Sequence, residues 1–508
     1  MNSASEEAPS HLSEIGPHAL VSSDRSLTKR TALGALWLGG ARLWSQALNL
    51  TVGVALARLL SPEDYGLLGM VTVVTGLFAM LSNMGLSAAV VQKQDLAPDE
   101  LSSIFWLNLG VAAVISCGLA VCSPIIAHFY SQPKVVPVMC VMVLALPISA
   151  LSSVQYGLVQ KQMKFKQITK IYVASSLAAG ILALLAAWAG WRVWALVVQT
   201  LTSASLGVAG LWWKSRWRPS FHFVRRDLGR IWGFSSHLTA FSLVNYFARN
   251  ADNFLVGGFL GPSQLGFYNL AYSLMLYPLS NLTGVVQGAL GPAMSQVQSE
   301  TRRLASAYVR TCRYLAFLVL PMMVGLGLVA REAVSAVYGP KWDDAGRVLQ
   351  ILAWVGAFQP FDSLTGTIFV ARGLTRWIFW SGLISTIITV MGFIFGLPWG
   401  LIGIAWGYAI SQAFLALVVL PIQYRRVEVS LGRLLKGMAL PGLASACMAI
   451  AVLIVKLTLK SHVAISPASK LAACVPTGVL SYAAVLLLFR KYFWSEFRTE
   501  FGRIFHKG

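Results

Sequence analysis

Charge is scarce in this chain: Asp, Glu, Lys and Arg make up 12% of its 508 residues, about half the share found in ordinary soluble proteins. With 56% hydrophobic residues and a mean hydropathy of +0.66, that scarcity excludes a soluble globular domain and leaves a polytopic membrane protein. Acidic residues are scarcer still, 19 against 40 Lys and Arg, for a net charge of +21. A nucleic-acid partner would call for basic residues crowded on one surface or tail. Here they punctuate apolar runs, so no nucleic acid is expected. The six cysteines, Cys117, Cys122, Cys140, Cys312, Cys447 and Cys474, show neither disulfide nor metal-ligand spacing. They are expected to be small packing residues, with no metal bound. No cleavable leader is expected either, since the first thirty residues are polar, carry Glu6, Glu7 and Glu14, and lack an apolar core. Enzyme signatures are sparse: the acidic pair Asp343 and Asp344, in GPKWDDAG, lies on one short loop without a further acid cluster. Neither catalysis nor a cofactor is expected.

Apolar segments, by contrast, are abundant. A bilayer core of about 30 Å needs about 20 mostly apolar residues per helix, and fourteen such segments fit between residues 33 and 489. The expected fold is therefore all-α, a polytopic membrane protein of about fourteen transmembrane helices. Placing the N-terminus in the cytosol puts 29 Lys and Arg on inner segments and 9 on outer ones, as the positive-inside bias requires. Both termini are then cytoplasmic. Trp188, Trp191 and Trp194 bracket a short outer turn, while Trp212, Trp213 and Trp217 sit at an inner edge, the depth tryptophan prefers. Before the seventh span, VRRDLGRIWGF (224–234) sets Val224, Leu228, Ile231 and Trp232 on one face, an interfacial-helix pattern.

The chain also echoes itself. At an offset of 200, LLSPEDYG (59–66) aligns with FLGPSQLG (259–266), pairing Pro62 with Pro262 and Gly66 with Gly266. ALPIS with Pro147, in span four, likewise answers FQPFD with Pro360, in span ten. Spans one to six and seven to twelve thus read as two pseudo-symmetric six-helix lobes in the same orientation, a common transporter plan. The expected organisation is a disordered tail (1–30), a first lobe (31–213), a basic linker with its interfacial helix (214–232), a second lobe (233–422), two additional spans (423–489) and a basic tail (490–508).

Polar groups inside spans are costly and normally face a partner or a wet cavity. In YFARNADNFLVGG (246–258), Ser242, Asn245, Arg249 and Asp252 or Asn253 recur at helical spacing and form one stripe. Span one carries a counterpart in Arg42, Gln46, Asn49 and Gly53. Under the offset Asn49 answers Arg249, which favours a cavity shared by the two lobes. Arg249 either lines that cavity or pairs with Asp252 on the same helix face. Asp362, two residues past Pro360, either exchanges protons or hydrogen-bonds backbone freed by the proline. Pro147 and Pro360 are expected helix breaks. Tyr268, Asn269, Tyr272 and Asn281 make span eight polar as well.

Four stretches carry a family likeness. ALARLLSPEDYGLLGM (55–70), GLVQKQMKFKQI (157–168), GPAMSQVQ (291–298) and YGPKWDDAGRVLQIL (338–352) resemble the polysaccharide-export branch of the MOP flippase superfamily. The likeness is to the bacterial capsule, exopolysaccharide and O-antigen flippases of the colanic-acid-exporter type. It implies two lobes around a cavity lined by the first and seventh helices, plus two C-terminal helices. The implied cargo is a polyprenyl-diphosphate-linked oligosaccharide, carried across the bacterial inner membrane by alternating access. Arg42, Gln46, Asn49, Asn245, Arg249 and Asn253 would supply its cationic and amide contacts. The resemblance also implies proton or sodium coupling through Asp252 or Asp362, and membrane lipids and polysaccharide polymerase or export machinery as partners. The alternative within the superfamily is an ion-coupled small-molecule efflux antiporter; a membrane glycosyltransferase is a more distant one.

Overall fold

Inside hydrocarbon every backbone N–H and C=O must find a partner within the protein, and a helix supplies these along a single segment. The computed structural model describes residues 46–83, 97–162, 164–215, 217–221, 246–247, 249–296, 301–460 and 466–489, and these form helices joined by short turns, without a strand among them. The first lobe comprises α1 (46–59 as described), α2 (Pro62–Asn83), α3 (Pro98–Phe129), α4 in three pieces (Val135–Met142, Ala145–Ala150, Ser153–Lys161), α5 (Phe165–Trp188) and α6 (Val193–Lys214). The second comprises α7 (249–260 as described, ending in a π-helical turn at Val256–Leu260), α8 (Pro262–Gln296), α9 (Thr301–Tyr338), α10 (Asp343–Ala371), α11 (Thr375–Gly396) and α12. α12 runs from Gly400 through a π-helical turn at Leu415–Val419 to Arg426. Two further helices, α13 (Leu431–Lys460) and α14 (Pro467–Leu488), pack against α9. The protein is thus an all-α polytopic membrane protein with two six-helix lobes and two C-terminal helices. Among the described residues, nine stretches are long and apolar enough to cross a membrane on composition alone, and α8 and α10 lie outside that set. These two carry Tyr272, Gln359 and Asp362 of the site.

The repeat seen in sequence becomes a physical contact where α2 crosses α8. A Cβ on Gly66 would stand 1.7 Å from the Pro262 carbonyl oxygen, and one on Gly266 would stand 2.0 Å from that of Pro62. Each copy's glycine therefore receives the other copy's proline carbonyl, and the backbones meet without side chains between them. Further along the same seam, Tyr246 Oη donates to the Val73 carbonyl at 2.8 Å. From there the apolar core runs without a gap from Leu67, Met70 and Val71 to Val256, Leu265 and Ala271.

Beside this crossing the lobes cap each other's helix ends, whose last carbonyls have no partner within their own helix. Trp342, fully buried, donates its indole N–H to the Ala57 carbonyl at 2.9 Å. Lys341 Nζ donates to the carbonyls of Arg58 and Leu60. In return the Arg58 guanidinium donates to Ala336 and Val337 at the end of α9, both at 2.7 Å. The turn that joins α9 to α10 is thereby tied to the end of α1. Asp343 at the start of α10 pairs with Arg331 at 2.9 Å and with Arg347, and Asp344 pairs with Arg347. These two acids hold the helix start, where negative charge is favoured.

The two prolines behave differently. α4 is segmented around Pro147, and the carbonyl that this proline cannot use, Val143 O, accepts from Ser116 Oγ at 2.9 Å. At the second interruption Trp212 Nε1 donates to Leu151 O at 2.7 Å. α10, expected to break at Pro360, instead runs unbroken from Asp343 to Ala371. Packing on both sides of the proline holds it. Gly356 lets Met323, Met275 and Leu279 close onto the helix, and one turn on Tyr308 Oη donates to Phe361 O at 3.2 Å and meets Thr365 Oγ1 at 2.9 Å.

Cysteine is a second correction. Cys312 and Cys474 are buried, but Cys117, Cys122 and Cys140 are exposed on the helix surfaces that a bilayer would cover. A thiol is a small hydrophobe and is as compatible with lipid as with a core. Trp188 and Trp213, at opposite membrane edges, are each 82% exposed. The expected interfacial helix at 224–234 and both tails lie outside the described residues.

The α2–α8 crossing yields a direct test. Gly66→Val should lower the melting temperature of the detergent-purified protein, an overpacking cost of about 1–3 kcal/mol. Gly118→Ala, at a glycine with open space around it, should leave it unchanged or raise it slightly.

Candidate functional site

The polar side chains of the second lobe converge on a cavity of about 450 Å3 bounded by α7, α8, α10, α11 and α12. Arg249 and Asp252 reach it from α7, Tyr272 and Ser280 from α8, Gln359 and Asp362 from α10, Thr386 and Thr389 from α11, and Tyr408 and Gln412 from α12. On α10 the polar wall lies at the proline turn: Gln359, Pro360, Asp362 and Ser363 all reach the cavity.

Asp252 is 4% exposed and its charge is held by two donors. Tyr268 Oη donates to Oδ2 at 2.9 Å, and the backbone N–H of Asn253 donates to Oδ1 at 2.8 Å. Tyr268 is itself fully buried, with its ring stacked on Tyr272 at 5.9 Å between centroids. Arg249, on the same helix face, is exposed into the cavity. Among the described residues no carboxylate lies within 4 Å of its guanidinium, so Tyr268 and not Arg249 holds Asp252. Asp362 is also exposed to the cavity and makes no hydrogen bond to the described backbone. Gln359 lines the wall with a buried side-chain oxygen that has no partner among the described residues.

The stripe expected on α1 behaves differently. Gln46 donates to Asn281 Oδ1 on α8, a contact between lobes, while Asn49 accepts from Ser176 Oγ on α5 within its own lobe. Neither is among the residues lining the second-lobe cavity. Asn253 is likewise not among those residues, and its side-chain oxygen is buried and unpartnered among the described residues. Arg42 and Asn245 lie outside the described residues. The structure therefore gathers Arg249, Asp252 and Asp362 and separates them from Gln46, Asn49 and Asn253. Tyr408, Gln412 and Thr389 were not singled out from sequence. The pair Tyr408 and Gln412, four apart on one face of an apolar helix, was the available signal.

The first lobe contains a cavity in the equivalent place. About 650 Å3 in volume, it is bounded by α4, α5 and α6, the counterparts of α10, α11 and α12. Asn49, the counterpart of Arg249, touches its wall through Ser176. Among the described residues no charged one lines it. The two copies thus share a site by position and differ in its chemistry.

With this geometry in place, similarity to known proteins is informative. Residues 55–347 match the family described as "Polysaccharide biosynthesis protein". The chain is 27% identical to the teichuronic acid biosynthesis protein TuaB of Bacillus subtilis, over 91% of this chain and 96% of that protein. It is 25% identical to the lipopolysaccharide biosynthesis protein WzxC of Escherichia coli, over 76% of this chain and 79% of that one. The solved structure of the lipid II flippase MurJ, in an inward closed conformation, superposes with a TM-score of 0.72 at 14% identity, covering 90% of this chain and all of MurJ. That likeness establishes the fold.

The Asp252–Tyr268 bond is testable as a pair. Tyr268→Phe should cost about 1.5–3 kcal/mol of stability, the range for a hydrogen bond to a charged group. In an Asp252→Asn background the same change should cost markedly less, read as the coupling in a double-mutant cycle of thermal unfolding.

Proposed function

Because the chain belongs to the polysaccharide biosynthesis protein family, we propose that it flips polyprenyl-diphosphate-linked oligosaccharide repeat units across the bacterial inner membrane. Its two lobes alternate access to the two leaflets, and both termini lie in the cytosol. The product feeds exopolysaccharide, capsule or O-antigen synthesis, with a polymerase and export machinery downstream. The observation that carries this reading is the pair of polar cavities at equivalent places in two lobes joined by a narrow seam. Relatives named for polysaccharide biosynthesis support the cargo.

The charge balance of the second-lobe cavity suggests how transport is driven. With Arg249, Asp252 and Asp362 all ionised, its described lining carries one net negative charge, which disfavours a diphosphate. A proton or sodium ion taken up at Asp362 or Asp252 removes that excess. Arg249, which has no carboxylate partner among the described residues, serves the phosphate as a charge-assisted donor. Coupling in this scheme is electrostatic: the cation admits the anionic cargo. A small-molecule efflux antiporter would use the same cavity without a phosphate.

Three outcomes test the scheme. Deleting the gene in a strain without redundant flippases should leave lipid-linked oligosaccharide on the cytoplasmic leaflet; normal delivery to the outer face would overturn the reading. Arg249→Ala should reduce export about 10-fold or more at normal protein levels, the loss expected for a charge-assisted hydrogen bond of about 1.5–3 kcal/mol. Collapse of both proton and sodium gradients should slow transport, and an unchanged rate would remove the coupling step.

A further inference from the structure

We propose that the first-lobe cavity is a subsite for uncharged sugar residues of the cargo, distinct from the charged cavity of the second lobe; this rests on the flippase reading above. The inference starts from what the lining offers a ligand. Ser152 Oγ donates to Ser149 O at 3.0 Å, Ser153 Oγ to Ala150 O at 3.1 Å and Thr200 Oγ1 to Leu196 O at 3.0 Å, while Ser176 Oγ donates to Asn49. These four hydroxyls have used their protons. They can offer a ligand only lone pairs, so the ligand must bring donors.

A second group complements them. Gln199 and Ser203 on α6, Tyr156 on α4 and Tyr172 on α5 line the same cavity, and among the described residues their side chains make no hydrogen bond. Each can both donate and accept. Tyr156 and Tyr172 meet edge to face at 6.4 Å between centroids, and Tyr172 is 47% exposed, which leaves aromatic surface free for an apolar sugar face. The volume falls within the roughly 300–1,000 Å3 of small-molecule sites.

Phosphate fits poorly here. It has acceptor oxygens and negative charge, whereas this lining has, among the described residues, no cation and a surplus of acceptors. A polyol, with a donor on every hydroxyl, matches it. The repeat places this cavity opposite the one containing Arg249, so a cargo with an anionic diphosphate at one end and neutral sugars at the other meets a matching division between lobes.

The test uses the full-length protein in lipid nanodiscs and two probes: polyprenyl diphosphate bearing a neutral disaccharide, and the same lipid without sugar. The wild type should bind the glycosylated probe about 10-fold or more tightly than the bare one. Gln199→Leu/Ser203→Ala removes no hydrogen bond of the described structure, and it should lose that preference while binding the bare lipid as the wild type does. Equal weakening toward both probes, or a retained preference, overturns the sugar subsite. If the wild type binds neither probe, the flippase reading fails and the subsite falls with it. The milder Ser203→Ala alone should give an intermediate preference, and an unaltered melting temperature in each variant ties the change to the cavity.

Discussion

Two backbones meet where α2 crosses α8, and they can do so because Gly66 and Gly266 have no side chains. Everything between the lobes is organised by that approach. It brings the ends of α1 and α9 near enough for Arg58, Lys341 and Trp342 to satisfy carbonyls across the boundary. These bonds satisfy helix-end carbonyls that have no partner within their own helix. The seam thus combines close van der Waals contact with obligatory polar pairing, as expected where lipid removes the hydrophobic drive between helices.

Within each lobe the same rule is met by different means. α4 is interrupted on either side of its proline, with Ser116 and Trp212 bonding carbonyls at the two interruptions, whereas α10 keeps its proline inside a continuous helix. The second solution puts Gln359 and Asp362 on one wall of the cavity.

Much of this was legible in the chain. Segment length and the Pro–Gly echo gave the pass number and the two lobes, because a bilayer imposes length and a tight crossing imposes glycine. The stripe Arg249–Asp252 was visible as helical spacing. What spacing could not convey is which neighbour holds each group. Tyr268 reaches Asp252 from another helix, sixteen residues away, and Asn49 turns toward Ser176 and away from the second lobe. The first-lobe cavity escaped notice for a related reason: serines and threonines in apolar helices usually bond their own backbone, and only packing reveals which of them also face a shared space. Pro360 was misread because a proline's effect depends on the packing around it.

The reciprocal contact at the seam has a further consequence for how such a chain changes over evolutionary time. Glycine against proline carbonyl, returned by its counterpart, is the self-complementary pattern of a two-fold homodimer interface. In a dimer of identical halves, any substitution is made twice and both sites must share one chemistry. Fused into one polypeptide, the halves keep the old interface yet mutate one at a time. One cavity could then acquire Arg249 and Asp362 while its twin stayed neutral.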